Sequence, residues 1–142
     1  MKRLLPFLAL LVVVAACGGD DSPTGPSPTT SAPYSQTDLV IGTGTTAVSG
    51  SQITVAYTGW LHDSSKPDAK GTQFQTNSNF PFRLGVGNVI RGWDQGVVGM
   101  RVGGQRRLVL PPDLAYGNSP PNGSGIPLNA TLIFDVTLIS VQ

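Results

Sequence analysis

Val89-Ile90-Arg91-Gly92-Trp93-Asp94-Gln95-Gly96-Val97-Val98-Gly99-Met100 carries a helical rhythm between runs that alternate. Trp93, Val97 and Met100 fall at i, i+4 and i+7, which stacks them on one helix face. Gly92, Gly96 and Gly99 weaken such a helix by roughly 1 kcal/mol each relative to Ala. The pattern therefore predicts one short helix of about two turns.

On both sides the period changes to two. In Gln52–Leu61, Ile53, Val55 and Tyr57 share one face, and Thr54, Ala56 and Thr58 the other. Phe80, Phe82 and Leu84 alternate likewise, with Pro81 marking an edge or a bulge. Gln105–Leu110 reads as a strand stopped by Pro111 and Pro112. Ala130–Val141 is the longest run, with Leu132, Phe134, Val136 and Leu138 on one face. Asp38–Ile41 reads as a short edge strand ended by Gly42. Strands around a single helix define an α+β fold in which an antiparallel sheet covers the helix on one side.

Composition narrows the function classes. With 9 Lys+Arg against 8 Asp+Glu, the net charge is +1, which lacks the basic excess of a nucleic-acid binder. Cys17 is the only cysteine and His62 the only histidine, so an internal disulfide, a Cys-rich zinc cage and Cys-His catalysis have no support. His62 lies in a polar stretch and reads as a solvated loop residue. Asp94 and Asp135 read as charges on the helix surface and the sheet surface. No motif for a cofactor or metal is present.

The first residues form a separate unit. Lys2 and Arg3 precede the apolar run Leu4–Val14, and small residues lead into Cys17, the layout of an export signal over residues 1–16. Val14-Ala15-Ala16-Cys17 resembles a bacterial lipobox, which implies lipid attachment at Cys17. More than one acyl chain, at about 0.8 kcal/mol per buried methylene, holds a protein on a bilayer far better than a single chain. Gly18 in place of the Asp that often retains Gram-negative lipoproteins points to the outer membrane, on its periplasmic side. In other bacteria the expected place is the outer face of the cell membrane. Residues 17–37 are rich in Gly, Ser, Thr and Pro and poor in aliphatics, so they read as a disordered tether. The folded unit is expected at 38–142.

Four segments of that unit, in order, resemble the FKBP-type peptidyl-prolyl cis-trans isomerases. They are Tyr57-Thr58-Gly59-Trp60-Leu61, then Val89–Gly96, then Val102-Gly103-Gly104 with Arg106-Arg107 and Pro111–Gly117, and last Ile126-Pro127 with Ala130–Val136. The resemblance implies a curved antiparallel β-sheet wrapped around one short α-helix, with an apolar pocket between them. It implies that Trp93 forms the pocket floor and that Tyr57, Phe74 and Phe134 form aromatic walls. Tyr116 would offer its hydroxyl to a substrate carbonyl, and the backbone N–H of Ile90 would hold another. Phe80, Val89 and Ile126 complete the lining, with Gln75 as a further substrate-binding residue. Without the family register, the periodicity alone makes Trp93 and Phe134 core residues.

The implied reaction is rotation about an X-Pro bond, which breaks no covalent bond and calls for no nucleophile, cofactor or metal. The family usually has Phe-Asp where this chain has Phe74-Gln75, so activity is expected to be lowered or altered. The implied partners are proline-containing polypeptides, a membrane through the lipid, and macrolide inhibitors. The sequence shows no large apolar patch for dimerisation, so a monomer is expected. Two other functions compete with catalysis. One is a membrane-tethered proline-peptide binding module or chaperone with weak turnover, and the other an envelope-anchored scaffold.

Overall fold

A computed structural model describes residues 32–142. The expected signal segment, Cys17 and the tether as far as residue 31 lie outside the described residues. The elements in chain order are β1 (Ser35–Val40), β2 (Gln52–His62), β3 (Lys70–Arg83), α1 (Arg91–Gly96), β4 (Gln105–Leu110) and β5 (Leu132–Val141). The five strands form one antiparallel sheet in the order β1-β4-β5-β2-β3. This is the α+β fold expected from the residue pattern, with α1 packed across the concave side of the sheet.

Alternation builds that concave face. Ile53, Val55 and Tyr57 of β2, Leu108 and Leu110 of β4, and Leu132, Phe134, Val136 and Leu138 of β5 all point into one core. The glycines of α1, which weaken it as an isolated helix, are what let it settle onto β4. A Cβ at Gly92 would overlap the Leu110 side chain, and one at Gly96 would lie 2.6 Å from Leu108 Cδ2. The helix is shorter than its apolar rhythm, because the chain turns at Gly99 with φ +89°. Val97 and Met100 nonetheless remain in the core.

Four local expectations are corrected, two of them strand boundaries. The alternation at Phe80–Leu84 marks only the end of β3, a 14-residue strand that starts at Lys70. Its polar middle, Gln75 to Asn79, is held by pairing with β2 and carries no alternation. Pro81 lies opposite Thr54 on this edge strand, where its missing N–H breaks no central ladder. At the other edge, β1 begins at Ser35, so residues 35–37 belong to the sheet and not to the tether. Backbone pairing with β4 and the Asp38–Arg106 ion pair (2.6 Å) hold it there, while all six of its residues stay exposed. Arg106 also donates to the carbonyls of Gly96 and Val98, at 2.7 and 3.0 Å, and so ties β1 and β4 to the end of α1.

His62 is the last residue of β2, not a loop residue, and its Nδ1 is buried. Asp135 lies on the outer sheet face but is only 9% exposed. Arg107 donates to it from Nε at 2.7 Å and Nη2 at 3.1 Å, and Lys70 from Nζ at 2.7 Å. Burial alone would raise the Asp135 carboxyl, but these hydrogen bonds and charges outweigh it and hold the group below its ordinary range.

Candidate functional site

Trp93 is the centre of an aromatic cluster. Its indole meets Tyr57 at 4.7 Å between ring centroids and 84° between planes, and Phe134 at 5.2 Å and 87°. Phe82 at 5.6 Å and Phe80 at 6.0 Å close the ring of neighbours. Three of these contacts are edge to face and the Phe82 contact is tilted at 49°; such aromatic pairs add about 0.5–1.5 kcal/mol each beyond area burial. Phe74 stands edge-on to Phe134 at 5.6 Å. That pairing depends on Gly59, because a Cβ there would lie 2.6 Å from Phe74 Cζ and 2.8 Å from Phe134 Cε1.

The cluster is not sealed. A cavity of about 140 Å³ opens above Trp93 and is bounded by Tyr57, Phe80 and Phe134 on the sheet side. Val89 and Ile90 bound it on the helix side, with Gln75, Asn88 and Tyr116 at its margin. Apolar cavities near 150 Å³ take a benzene-sized ring, so the space suits one small apolar ring. Phe74 and Ile126 do not line this cavity. They line an adjoining hollow that shares Gln75 and Tyr116 with it. Together the two spaces bring in every residue expected at the site.

The polar groups are few and neutral. Ile90 caps α1, and its carbonyl accepts from the N–H groups of Trp93 and Asp94. Its own N–H precedes the helix and takes no part in the helical ladder. Burial raises the phenol of Tyr57 above its ordinary value, with Tyr116 adding to the effect, and burial likewise raises Tyr116. Both hydroxyls therefore stay protonated near neutrality and are able to donate. Among the described residues, no group of three or more His, Cys, Asp or Glu comes together as metal ligands do. The arrangement offers an open aromatic seat with a few neutral hydrogen-bonding groups at its lip.

Residues 43–139 match the profile of the FKBP-type peptidyl-prolyl cis-trans isomerase family. The chain belongs to that family. An FK506-binding protein of Neisseria meningitidis serogroup B is 46% identical over 104 residues, covering 73% of this chain and 92% of the relative. FK506-binding protein 4 of Dictyostelium discoideum is 50% identical over 105 residues, covering 72% of this chain. The chain spans only 27% of that relative, and 20% of the Chaetomium thermophilum FK506-binding protein 4. Among solved structures, AtFKBP13 aligns with TM-score 0.66 and 35% identity over 77% of this chain and 93% of its own. FkpA from Escherichia coli aligns with TM-score 0.64 and 34% identity, over 77% of this chain and 48% of its own.

Within this FKBP domain, three residues that shape the site have no site role assigned from the sequence. Asn88 follows two glycines in a stretch without periodicity, yet reaches the cavity. Gly59 sits inside a strand and acts only through the space it leaves. Asp94 is not a free helix-surface charge, since it accepts hydrogen bonds from the backbone N–H groups of Gly85 and Gly87.

Proposed function

We propose that this FKBP domain accelerates cis-trans rotation about X-Pro bonds in exported polypeptides, held at a bacterial envelope membrane by lipid on Cys17. The observation that carries the catalytic reading is the open aromatic cavity over Trp93, with neutral donors at its margin. Amide resonance sets a barrier of about 18–20 kcal/mol. Resonance separates charge, and water stabilises the separated form. A prolyl ring seated on Trp93 between Tyr57, Phe80 and Phe134 leaves its preceding amide poorly hydrated, which favours the twisted, less polar geometry. The Tyr116 hydroxyl and the Ile90 N–H hold flanking carbonyls, while Phe74 and Ile126 contact the chain beside the ring. Binding that fits the twisted bond better than either planar isomer lowers the barrier.

A protease-coupled proline-peptide assay on the full chain in mild detergent tests this. The expected result is clear acceleration that a macrolide such as rapamycin blocks, and a chain that gives no acceleration removes the reading. The envelope assignment has its own test, since Cys17→Ser should move the protein from the membrane fraction to the soluble fraction.

A second reading, a proline-peptide binding module or chaperone with weak turnover, draws on Gln75. This exposed amide borders the cavity where the family usually carries Asp. Gln75→Asp is expected to raise kcat/KM by about threefold or more. An unchanged value makes the position neutral, whereas tight peptide binding without turnover in the parent favours the binding module.

A further inference from the structure

The rim of the cavity nearest α1 is a loop, residues 84–90, that supplies Asn88, Val89 and Ile90. Its ends pack into the core through Leu84, Val89 and Ile90, but its tip has little packing to fix it. Val86 is 53% exposed, and the chain passes through φ +80° at Gly85 and +81° at Gly87. Left-handed residues of this kind turn successive N–H groups toward one point, where they form a concavity suited to an anion. Here the anion is part of the protein. Asp94 Oδ1 accepts from the Gly85 N–H at 2.8 Å, and Oδ2 from the Gly87 N–H at 3.0 Å.

Asp94 follows Trp93 directly on α1, and its own N–H bonds to the carbonyl of Ile90 at 3.3 Å. One residue therefore grips the rim loop at three points: the two glycine amides through its side chain, and Ile90 through its main chain. Floor and rim are thereby locked to the same turn of helix. Charge-assisted hydrogen bonds of this type are about twice as strong as neutral ones. An Asn could keep only one of the two side-chain bonds, because its NH₂ group donates and cannot accept.

We propose that Asp94 is a positioning residue for substrate binding. It acts as a carboxylate buckle that holds Asn88, Val89 and Ile90 at the working distance from Trp93, and does not itself touch the substrate. The inference rests on the isomerase reading for its kinetic arm only. The buckle fixes a grip that serves planar and twisted amides alike, so its loss should appear in KM more than in kcat.

The test compares the full chain with Asp94→Ala, Asp94→Asn and Asp94→Glu. Asp94→Ala is expected to raise KM for a proline peptide about tenfold with kcat within about twofold, with Asp94→Asn intermediate. Asp94→Glu, which restores a carboxylate, should recover most of the loss. In hydrogen exchange, the amides of Gly85 and Gly87 should lose protection in the Ala variant while those of β5 keep theirs. On a Val89→Ala background the effect of Asp94→Ala on KM should shrink, because both changes act through the same rim. The proposal is overturned if Gly85 and Gly87 exchange as in the parent. It also fails if every amide loses protection equally and activity falls only in step with melting temperature. An inactive parent would remove the isomerase reading and leave the exchange experiment to decide the buckle alone.

Discussion

Replacing Gly59 by alanine adds one methyl group to the seam between two aromatic walls. That carbon would lie 2.6 Å from Phe74 Cζ, 3.0 Å from Phe74 Cε2 and 2.8 Å from Phe134 Cε1. Comfortable carbon–carbon contact is about 3.5–4.0 Å, so the shortfall is roughly 1 Å on both rings. Phe134 cannot give way, because it is 3% exposed and wedged against Trp93 and Tyr57. Phe74 is only partly buried and has the free end, so it swings outward. Overpacking of this kind costs about 1–3 kcal/mol, which for a domain of this size lowers Tm by roughly 5–15 °C. Displacing the wall beside the proposed prolyl seat should also reduce kcat/KM by about tenfold, equivalent to ~1.4 kcal/mol of transition-state binding. Thermal melting and the proline-peptide assay measure the two effects separately. Phe74→Leu in the Gly59→Ala background removes the obstructed ring, so stability should recover while activity stays low. A Gly59→Ala protein with unchanged Tm and unchanged kcat/KM refutes the account of the wall.

Other perturbations address the rest of the framework. Among the described residues no carboxylate or histidine lines the cavity, and both tyrosines are raised above their ordinary values, so kcat/KM should be flat from about pH 6 to 9; a bell-shaped profile in that range would contradict the neutral site. Asp135→Asn leaves Lys70 without its anion and Arg107 with only the exposed Asp68 at 3.8 Å, and should destabilise by roughly 1–2 kcal/mol with little change in KM, checked by denaturant titration. The folded-state pKa of Asp135 is lowered, so its stabilisation is present above the unfolded carboxylate value and fades as pH falls through the folded one. The Asn variant should accordingly show a shallower acid-side loss of stability. Gly96→Ala pushes a methyl group to 2.6 Å from Leu108 Cδ2 and should lower Tm while sparing KM, since it strains the helix seat and not the cavity.

What could be read from the chain follows from which forces leave a local trace. β2 and β4 each bury one face, so period-two alternation exposes them; β5 shows its core face as an alternating apolar row although Ile133 and Asp135 on its other face are also buried. Trp93, Val97 and Met100 betray the helix by their spacing. β3 escaped because its middle is an edge segment held by backbone pairing with β2, and hydrogen bonds of the main chain need no particular side chain. The start of β1 at Ser35 escaped for the same reason. Asp135 looked like a surface charge because its partners, Lys70 and Arg107, are 65 and 28 residues away in sequence. At the site, the aromatic residues were legible only through the family register. Periodicity assigns Trp93 and Phe134 to the core, and by burial they are core, at 4% and 3% exposed.

That overlap between core and site explains how a domain this small keeps an opening above its principal tryptophan. An ordinary core would fill such a space with side chains, whereas here about 140 Å³ stays open to solvent beside the core. Here the rings around the opening brace one another edge to face, and glycines at 59, 92 and 96 bring strand and helix close enough to hold them. Among the described residues Trp93 Nε1 is buried without a hydrogen-bond partner, as are His62 Nδ1 and Thr131 Oγ1 elsewhere in the domain. The cost of the opening is thus spread over tight packing around it. Substitutions that fill the cavity, such as Val89→Phe, should therefore raise Tm while abolishing turnover. The opposite pairing, lower stability with turnover retained, would mean that the opening is a packing fault and that polypeptide binds elsewhere.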